Sequence, residues 1–565
     1  MDQKVKVLFV ARYYIIEPLG LLHLAGLATS LGCEVDVELI PDNDFTGLYK
    51  RVEEWKPDFV GFQIWTGWHL QTFTACDQVR TMGPLVIIGG PHVTYFTDEC
   101  AKHADYVVRG DGFRNFRRIL QGKLDKGIHF DAEQLTEGFP MPDRSIVYDK
   151  YPILRNSPIR SMITSVGCPF TCSYCYASKW NEMYGGFRHT QRPVHDIIRE
   201  GIEIRERWGA KLIYLQDDIF GFDHKIWLPE FAQRWKEEVG IPFHCQIRLE
   251  LTRSHAGDRR LDLFKKAGCT GVTVAIESGD AFLREYVLHR AMPDELILEG
   301  CEKIHSREMT LRTEQILAVP FSNLETDLLT LRLNCQINPE MAWTSILAPY
   351  GGTEMSNISR EFGFYEGTND DIDETFFDQS VLRHSETARD SLESAVKRAG
   401  KKDWKSACEI EFMDDGANAR YKEQVIINQR LFNWLSKVPQ GDVLAKTFVT
   451  LPKDQWTWKV LGEITAQHFE SLGLSEKTKE WVQKLTHAMG YTSFDDLPKV
   501  VKENPYYFVF FPGSALFAQC VVDTEVLNNH APIGFKFDRI WAIARRWLFM
   551  YSLYKVECAT PPIAH

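Results

Sequence analysis

The stretch SMITSVGCPFTCSYCYASKW, residues 161–180, constrains this chain more than any other. It holds Cys168, Cys172 and Cys175, three thiols at spacings of four and three. The apolar, partly β-branched run Met162–Val166 ahead of them predicts a strand that feeds a cysteine loop. Three thiolates on one short loop can hold three irons of a cubane cluster and leave the fourth iron open, whereas an electron-carrying ferredoxin supplies four cysteines. Two plainer readings compete, a zinc site and three unconnected core cysteines. Zinc sites pair a Cys-x2-Cys with a second ligand pair further along, and this chain has no second close cysteine pair.

The pattern Cys-x3-Cys-x2-Cys, with Tyr174 just before the last cysteine, resembles the signature loop of the radical S-adenosylmethionine (SAM) superfamily. The resemblance implies a 4Fe-4S cluster on Cys168, Cys172 and Cys175, with SAM chelated at the open iron through its amino and carboxylate groups. It also implies one-electron cleavage of SAM to a 5′-deoxyadenosyl radical, fed by an electron donor such as flavodoxin or ferredoxin.

With 565 residues the chain has room for several domains and ample core. A formal charge of −12 gives no bulk support to a nucleic-acid groove, so no nucleic-acid partner is expected. The cysteines number 13, an odd count, and outside the loop they are scattered singly. That usage fits a reducing, cytoplasmic setting better than a disulfide scaffold. The start, MDQKVKVLFVARYY, lacks a signal-peptide layout, and no apolar run reaches membrane-spanning length.

Residues 1–125 alternate strands and helices. Strands are expected at Val5–Val10, Val35–Ile40, Phe59–Ile64, Leu85–Ile88 and Tyr106–Val108, and helices at Pro18–Leu31, Phe45–Trp55, His69–Met82 and Thr97–Lys102. Five such units predict a parallel, doubly wound, flavodoxin-like α/β sheet, whose ligands bind beyond the carboxyl ends of the strands. Gly89, Gly90, Pro91, His92 and Gly110 fall there, where a large planar ligand or a backbone-hugging tail can approach. Ahead of a radical SAM loop, the segments PLGLLHLAGLATSLG, KPDFVGFQIWTG, VIIGGPHVT and ADYVVRGDG resemble the cobalamin-binding domain of one large subclass. The Asp-x-His-x-x-Gly loop of other cobalamin proteins is missing. Within the subclass, the resemblance implies that cobalt's lower face is covered by the loop Trp65, Thr66, Gly67, Trp68 and His69. His69 is then either an axial ligand or an ordinary surface or core histidine, and Trp65 or Trp68 is a candidate roof.

Residues 126–160, rich in proline and polar residues, read as a linker, and Pro140–Arg144 resembles the segment that precedes the barrel in cobalamin-dependent members. From 161 to 363 helices and strands alternate again: helices at Val194–Trp208, Ile226–Val239, Arg260–Ala267 and Glu295–His305, strands at Leu212–Leu215, Phe243–Leu249, Gly271–Ile276, Leu311–Val319 and Thr344–Leu347. Together with the strand before the cysteines they predict a partial (β/α)6 barrel. Barrel chemistry sits at the carboxyl ends of strands. The resemblance places SAM's ammonium near Asp217 and Asp218, which stand where the family has Gly-Gly-Glu. Gln246 and Arg248 share a strand face, and Arg248 is a candidate clamp for SAM's carboxylate. Glu277 and Ser278 are candidates for the ribose hydroxyls or the methionine end, and Tyr350 for the substrate or sulfonium side. Each of these residues has an alternative as part of a satisfied polar network. In the turn after the fifth strand, Asn323 or Thr326 is expected to cap a helix, and Phe321 to shape the adenine or substrate side.

Residues 364–565 are expected to be mainly helical, a capping or substrate-recognition domain or a structural support. The acidic segment at 364–379 reads as a loop over the barrel mouth. The whole resembles a cobalamin-dependent radical SAM enzyme that methylates a carbon of a small-molecule or peptide substrate, using methylcobalamin and SAM. The alternatives are ring formation, rearrangement or oxidation with the same cofactors, and an iron–sulfur carrier or sensor.

Overall fold

The computed structural model describes residues 4–470, except 14–16, 41–42, 134–137, 152–153, 156–158, 374–378, 437–439 and several positions from 457 onward. Beyond 470, the rest of the C-terminal region expected to be mainly helical, with its apolar stretches Tyr506–Val522 and Trp541–Tyr554, lies outside the described residues.

Among the described residues two six-stranded sheets carry the architecture. The first comprises β1 (Lys6–Arg12), β2 (Glu34–Ile40), β3 (Phe59–Gln63), β4 (Leu85–Gly89), β5 (Tyr106–Arg109) and β6 (Gly127–Phe130), all parallel, in the order β2-β1-β3-β4-β5-β6. Its central strands are near-continuous apolar runs because helices cover both faces. The chain order reverses between β1 and β3, and a ligand crevice opens at such a switch point. Strand β6 extends the sheet beyond the five strands expected. Its four residues alternate half-buried and exposed, so GIHF carries too little apolar signal to announce an edge strand.

The second sheet comprises β7 (Ile159–Met162), β10 (Leu212–Leu215), β11 (Phe243–Ile247), β12 (Cys269–Glu277), β13 (Thr310–Leu317) and β14 (Met341–Ile346), paired in parallel in the order β7-β10-β11-β12-β13-β14. It is the expected open half-barrel, with helices between successive strands. The strand expected over Met162–Val166 is broken instead. It ends at Met162, and the chain resumes as β8 (Ser165–Val166), paired antiparallel with β9 (Thr190–Gln191). Asp217, at the end of β10, causes the break: it accepts hydrogen bonds from Thr164 N (2.7 Å), the Thr164 hydroxyl and Ser165 Oγ (2.8 Å).

A buried knot of charge joins the two halves. Arg144, in the connector, donates to Glu200 Oε1 (2.7 Å) and lies 3.8 Å from Glu17 of the first half. Arg192 takes the other Glu200 oxygen at 2.6 Å, and Glu17 accepts the backbone N–H of Ser161 on β7. All four side chains are buried. Burial works to raise the Glu200 carboxyl, but Arg192 and Arg144 overcome it and hold the group at about 2. The connector also lies directly along helix Leu19–Ser30. A Cβ on Gly26 would stand 1.8 Å from Met141 O, so only glycine admits that approach. Tyr151 and Lys150 then bond the outer edge of β2 at Leu39 N (2.9 Å) and Val37 O (2.6 Å).

The opposite edge, β14, is closed by helix Asp415–Leu435. Asn433 accepts from Ala342 N (2.8 Å) and Gln429 donates to Thr344 O (3.0 Å), which removes an open sheet edge. Phe432, Leu431 and Phe448 pack there on Leu328, Leu331 and Ile346. The helix after β13 begins in a capping box made jointly by Asn323 and Thr326. Phe321 does not face a ligand site. It is fully buried against Phe364 and Trp404, and its φ of 69° turns it into that core.

Beneath this helix Tyr421 Oη donates to Asp327 at 2.8 Å, and burial pushes the Asp327 carboxyl up to about 7. The unfolded chain releases that proton near pH 4, so the folded state loses relative stability as pH rises from about 4 to about 7. Asp327→Asn keeps an acceptor for Tyr421 and removes the titration. In denaturant unfolding at pH 5 and pH 7.5, the variant should gain on wild type by on the order of 2–4 kcal/mol at the higher pH. An unchanged difference between the two pH values refutes this.

Candidate active site between the two sheets

Both sheets point their strand carboxyl ends at the cysteine loop. Strands β8 and β9 bracket it like the neck of a hairpin. Gly167 opens it with φ of 106°, and a Cβ there would meet Arg188 O at 2.0 Å, so the neck closes only around glycine. Asp218 accepts Gly167 N (2.8 Å) from outside the loop, and its side chain is exposed. The acidic pair therefore divides: Asp217 is buried and spent on the strand break, and Asp218 steadies the neck.

Cys168, Cys172 and Cys175 project from this loop with little exposure, and burial pushes the Cys168 thiol up to about 11 and the Cys175 thiol up to about 12. Among the described residues no three Cys, His, Asp or Glu side chains converge closely enough to hold one metal ion. A cluster gives each of the three thiolates its own iron. Cys172 meets two guanidinium groups. Arg248 Nη1 donates to its sulfur at 2.8 Å and Arg290 Nη1 lies 3.9 Å away. Arg248 also pairs with Glu250 and lies 3.7 Å over the Phe170 ring. Its charge thus serves the cysteine loop, not a free clamp.

At the end of β12 the register shifts between Ala275 and Glu277, and Glu277 adopts φ of 66°. This bulge turns its buried carboxylate towards the loop. Tyr174 Oη donates to Glu277 Oε1, and Arg290 Nη1 reaches Tyr174 Oη (3.1 Å) and the same Glu277 oxygen (3.5 Å). Among the described residues Glu277 Oε2 has no such partner. Ser278 serves the turn: its Oγ accepts Asp280 N (3.2 Å) and its carbonyl accepts Arg284 Nη1 (2.7 Å). Gln246, half-buried, sits two residues before Arg248 on the same strand end.

The first sheet's loops lie opposite. Tyr176, directly after the last cysteine, stacks on Tyr95 at 4.0 Å and 6°, and the Tyr350 ring lies 6.2 Å from it, tilted by 39°. One row of rings thus joins the first sheet, the cysteine loop and the end of β14. Tyr184 Oη, past the cysteines, accepts Asp111 N (2.8 Å) after β5. Within the loop 65–69 the expected cobalt-facing residues part company. Trp65 is 41% exposed. Trp68 is buried, stacked on Phe45 and donating to Asn43 Oδ1 (2.7 Å), so it is core and not roof. His69 is buried with both ring nitrogens engaged, Nδ1 by Gly67 N (3.2 Å) and Nε2 by Asp370 of the acidic segment (2.9 Å), which leaves no lone pair for a metal. Thr66 bonds His92 Nδ1 (2.9 Å), and burial pushes His92 down to about 3. Pro91 starts the short helix Pro91–Tyr95.

Behind Gly89, Gly90 and Gly110 a cavity of about 270 Å³ runs into the first sheet, walled by Phe9, Gly61, Val108 and Phe116, with Trp180 and Arg188 of the cysteine loop at its other end. A slot edged by glycine backbone and floored by rings suits a planar heterocyclic tail. The three-thiol loop and this slot both fit the cofactors the sequence pattern implies.

Family comparison agrees. The B12 binding domain matches residues 5–120, and the radical SAM superfamily matches residues 162–332. The chain belongs to the radical SAM superfamily and carries a B12-binding domain. This radical SAM chain is 24% identical over 367 residues to an uncharacterized methyltransferase of Pyrococcus horikoshii, covering 60% of this chain and 77% of that one. It is 22% identical over 368 residues to the hopanoid C-3 methylase of Methylococcus capsulatus, covering 60% and 68%. In structure it is similar to the radical SAM methyltransferase TsrM of Kitasatospora setae, with TM-score 0.53 and 15% identity over 65% of this chain and 78% of that one.

Tyr95, Tyr176, Arg290 and Glu250 escaped the sequence reading of this radical SAM site. Tyr176 had one available signal, its place beside Cys175; the others come from a loop and from short helical turns with no motif. The two tryptophans separate experimentally. Trp68→Ala should cost about 3–5 kcal/mol of stability, and Trp65→Ala should stay within about 0.5 kcal/mol, as read by denaturant unfolding. Equal losses at both positions contradict the assignment.

Proposed function

We propose that this chain is a cobalamin-dependent radical SAM methyltransferase acting on a carbon of a small-molecule or peptide substrate. The observation that carries the reading is the Tyr95–Tyr176–Tyr350 row, which sets the B12-binding loops directly against the cysteine loop. When bound, the cluster supplies the electron that cleaves SAM, and cobalamin supplies the methyl group. Cys168, Cys172 and Cys175 hold the cluster, with Arg248 and Arg290 offsetting thiolate charge at Cys172. Gln246, Ser278 and the open oxygen of Glu277 hold SAM. Trp65, Gly89, Gly90 and Gly110 flank the corrin, and Tyr350 borders the substrate. The buried rings and the acidic segment, latched through Asp370 to His69, exclude water from the cleft.

The same proposal divides the chain into a B12 unit (1–125), a connector (126–160), a barrel (161–363) and a helical cap that selects substrate (364–565). No helix among the described residues is long and apolar enough to cross a membrane. We place the enzyme in the cytoplasm, with a flavodoxin or ferredoxin as its reductant. The relatives' names, a methyltransferase and a carbon methylase, favour methyl transfer over cyclisation.

Anaerobic protein reconstituted with iron, sulfide, cobalamin, SAM and a reductant should release both S-adenosylhomocysteine and 5′-deoxyadenosine on turnover of candidate substrates. Deoxyadenosine without homocysteine product on a turned-over substrate eliminates methyl transfer. Replacing any one of Cys168, Cys172 or Cys175 by Ala should abolish deoxyadenosine formation and lower bound iron; full retention of both refutes the cluster assignment.

A further inference from the structure

The half-barrel has an inner face that the site described above uses only at its rim. Contacts settle which residues lie on it. On β13, Leu311 and Leu317 join the helix-packed cores, and Thr313 and Gln315 bond Asn334 of helix Leu324–Ile337 at 2.6 and 3.2 Å. Arg312 and Glu314 alternate with these residues and lie on the opposite, inner face. On β14, Ala342 and Ile346 pack under helix Asp415–Leu435, so Met341, Trp343 and Ser345 are inner. Ile159, Leu212 and Tyr214 close the base of the barrel, with Met341 and Trp343 packed on them.

Above that plug the charge is one-sided. Arg312 Nη1 donates to the Tyr214 hydroxyl (2.9 Å), its guanidinium lies 5.2 Å over the Trp343 ring, and its Nη2 pairs with Glu314 Oε1 at 2.8 Å. The Arg312 side chain is only 6% exposed, whereas that of Glu314 is 30% exposed. The register sets Glu314 between Ala275 of β12 and Trp343 of β14, and Ala275 is two residues before Glu277. Ala275, Trp343 and Ser345 are half-buried like Glu314, so this stretch of the inner face is reachable. The neighbouring cations, Arg248 and Arg290, are buried and committed to Cys172, Glu250 and Glu277. The ionised group that this stretch presents is therefore a carboxylate.

We propose that Glu314 is a substrate-recognition residue that receives a protonated amine of the substrate inside the half-barrel. Arg312 orients the carboxylate from beneath, and the Trp343 ring and Ser345 flank it. The assignment rests on the methyltransferase reading above and narrows its substrate to one that carries an ammonium or guanidinium group. A carboxylate has about four acceptor positions, so one ion pair leaves room for a second cation, and charge-assisted bonds to it are the strong kind. An anionic group is repelled there, and a hydrocarbon strips water from Glu314 without replacing it.

The experiment is a ligand-observed NMR titration of the full chain, reconstituted with cluster, cobalamin and SAM and kept without reductant. It compares three probes of similar shape: phenethylamine, 2-phenylethanol and 3-phenylpropionate. Wild type should bind the amine on the order of tenfold more tightly than the alcohol, and the acid more weakly than either. Glu314→Gln keeps the shape and removes the charge. It should bring the amine within about twofold of the alcohol, and leave the alcohol and SAM, the latter measured by equilibrium dialysis, within about twofold of wild type. Glu314→Asp keeps the charge and should keep part of the preference. If wild type does not prefer the amine, binds none of the probes, or keeps its preference after Glu314→Gln, the proposal is wrong. If Glu314→Gln weakens the alcohol equally, Glu314 is only structural; if it weakens SAM equally, Glu314 is a SAM contact; either result overturns the proposal. Failure of wild type to bind SAM overturns the proposed function itself, so the two failures read out separately.

Discussion

The buried charges Glu17, Arg144, Glu200 and Arg192 hold the geometry on which everything else depends. Each belongs to a different part of the chain: the first sheet's entry to its helix, the connector, a barrel helix, and the strand that leaves the cysteine loop. Charges out of water cost several kcal/mol apiece, and taking one away strands the rest at about 3–5 kcal/mol. A knot of this kind adds little net stability over apolar packing. It does penalise every arrangement in which the four segments are not together. The two sheets are thereby held with their strand ends facing, and the tyrosine row and the Tyr184–Asp111 contact can form between them.

The two faces brought together are chemically unlike. On the B12 side the cleft is edged by glycine backbone and opens on rings, with Trp68 Nε1, both His69 nitrogens and His92 Nδ1 already engaged. On the barrel side guanidinium groups and a bulged glutamate gather around one sulfur. One surface is shaped for a large flat body to lie against, and the other for concentrated negative charge. That division suits a machine whose two cofactors differ in size and charge, and it comes from loop chemistry on two similar parallel sheets.

The sequence made the sheets legible because buried parallel strands are bare apolar runs between amphipathic helices, and helix Val194–Trp208 and strand Leu212–Leu215 agree residue for residue. The cysteine loop was legible by spacing. What escaped depended on direction and distance. Trp65 and Trp68 are three residues apart in the same loop, yet one faces outward and the other fills the core. Asp217 and Asp218 are adjacent and do separate jobs. Arg248 was placed on the right strand end, but its partner is Cys172, 76 positions away. Arg290 reaches the site from a loop and Tyr95 from the end of the short helix Pro91–Tyr95, and the local composition of both is ordinary. Periodicity reports which face of an element is buried; it does not report what a loop side chain meets across a cleft.

The contact between Gly26 and the Met141 backbone bears on modularity. The B12-binding match ends at residue 120, before the last strand of the sheet. Here the wall of the B12 unit's cavity at Phe139, and the carbonyl of Pro140 that accepts from His23 Nδ1, belong to the segment that leads into the barrel. A cassette cut after the fifth or sixth strand would carry the glycines and lack one wall of its own pocket. Chimeras that exchange this unit among relatives therefore have their natural seam after Arg144, and a transplanted unit should bring its own connector with it.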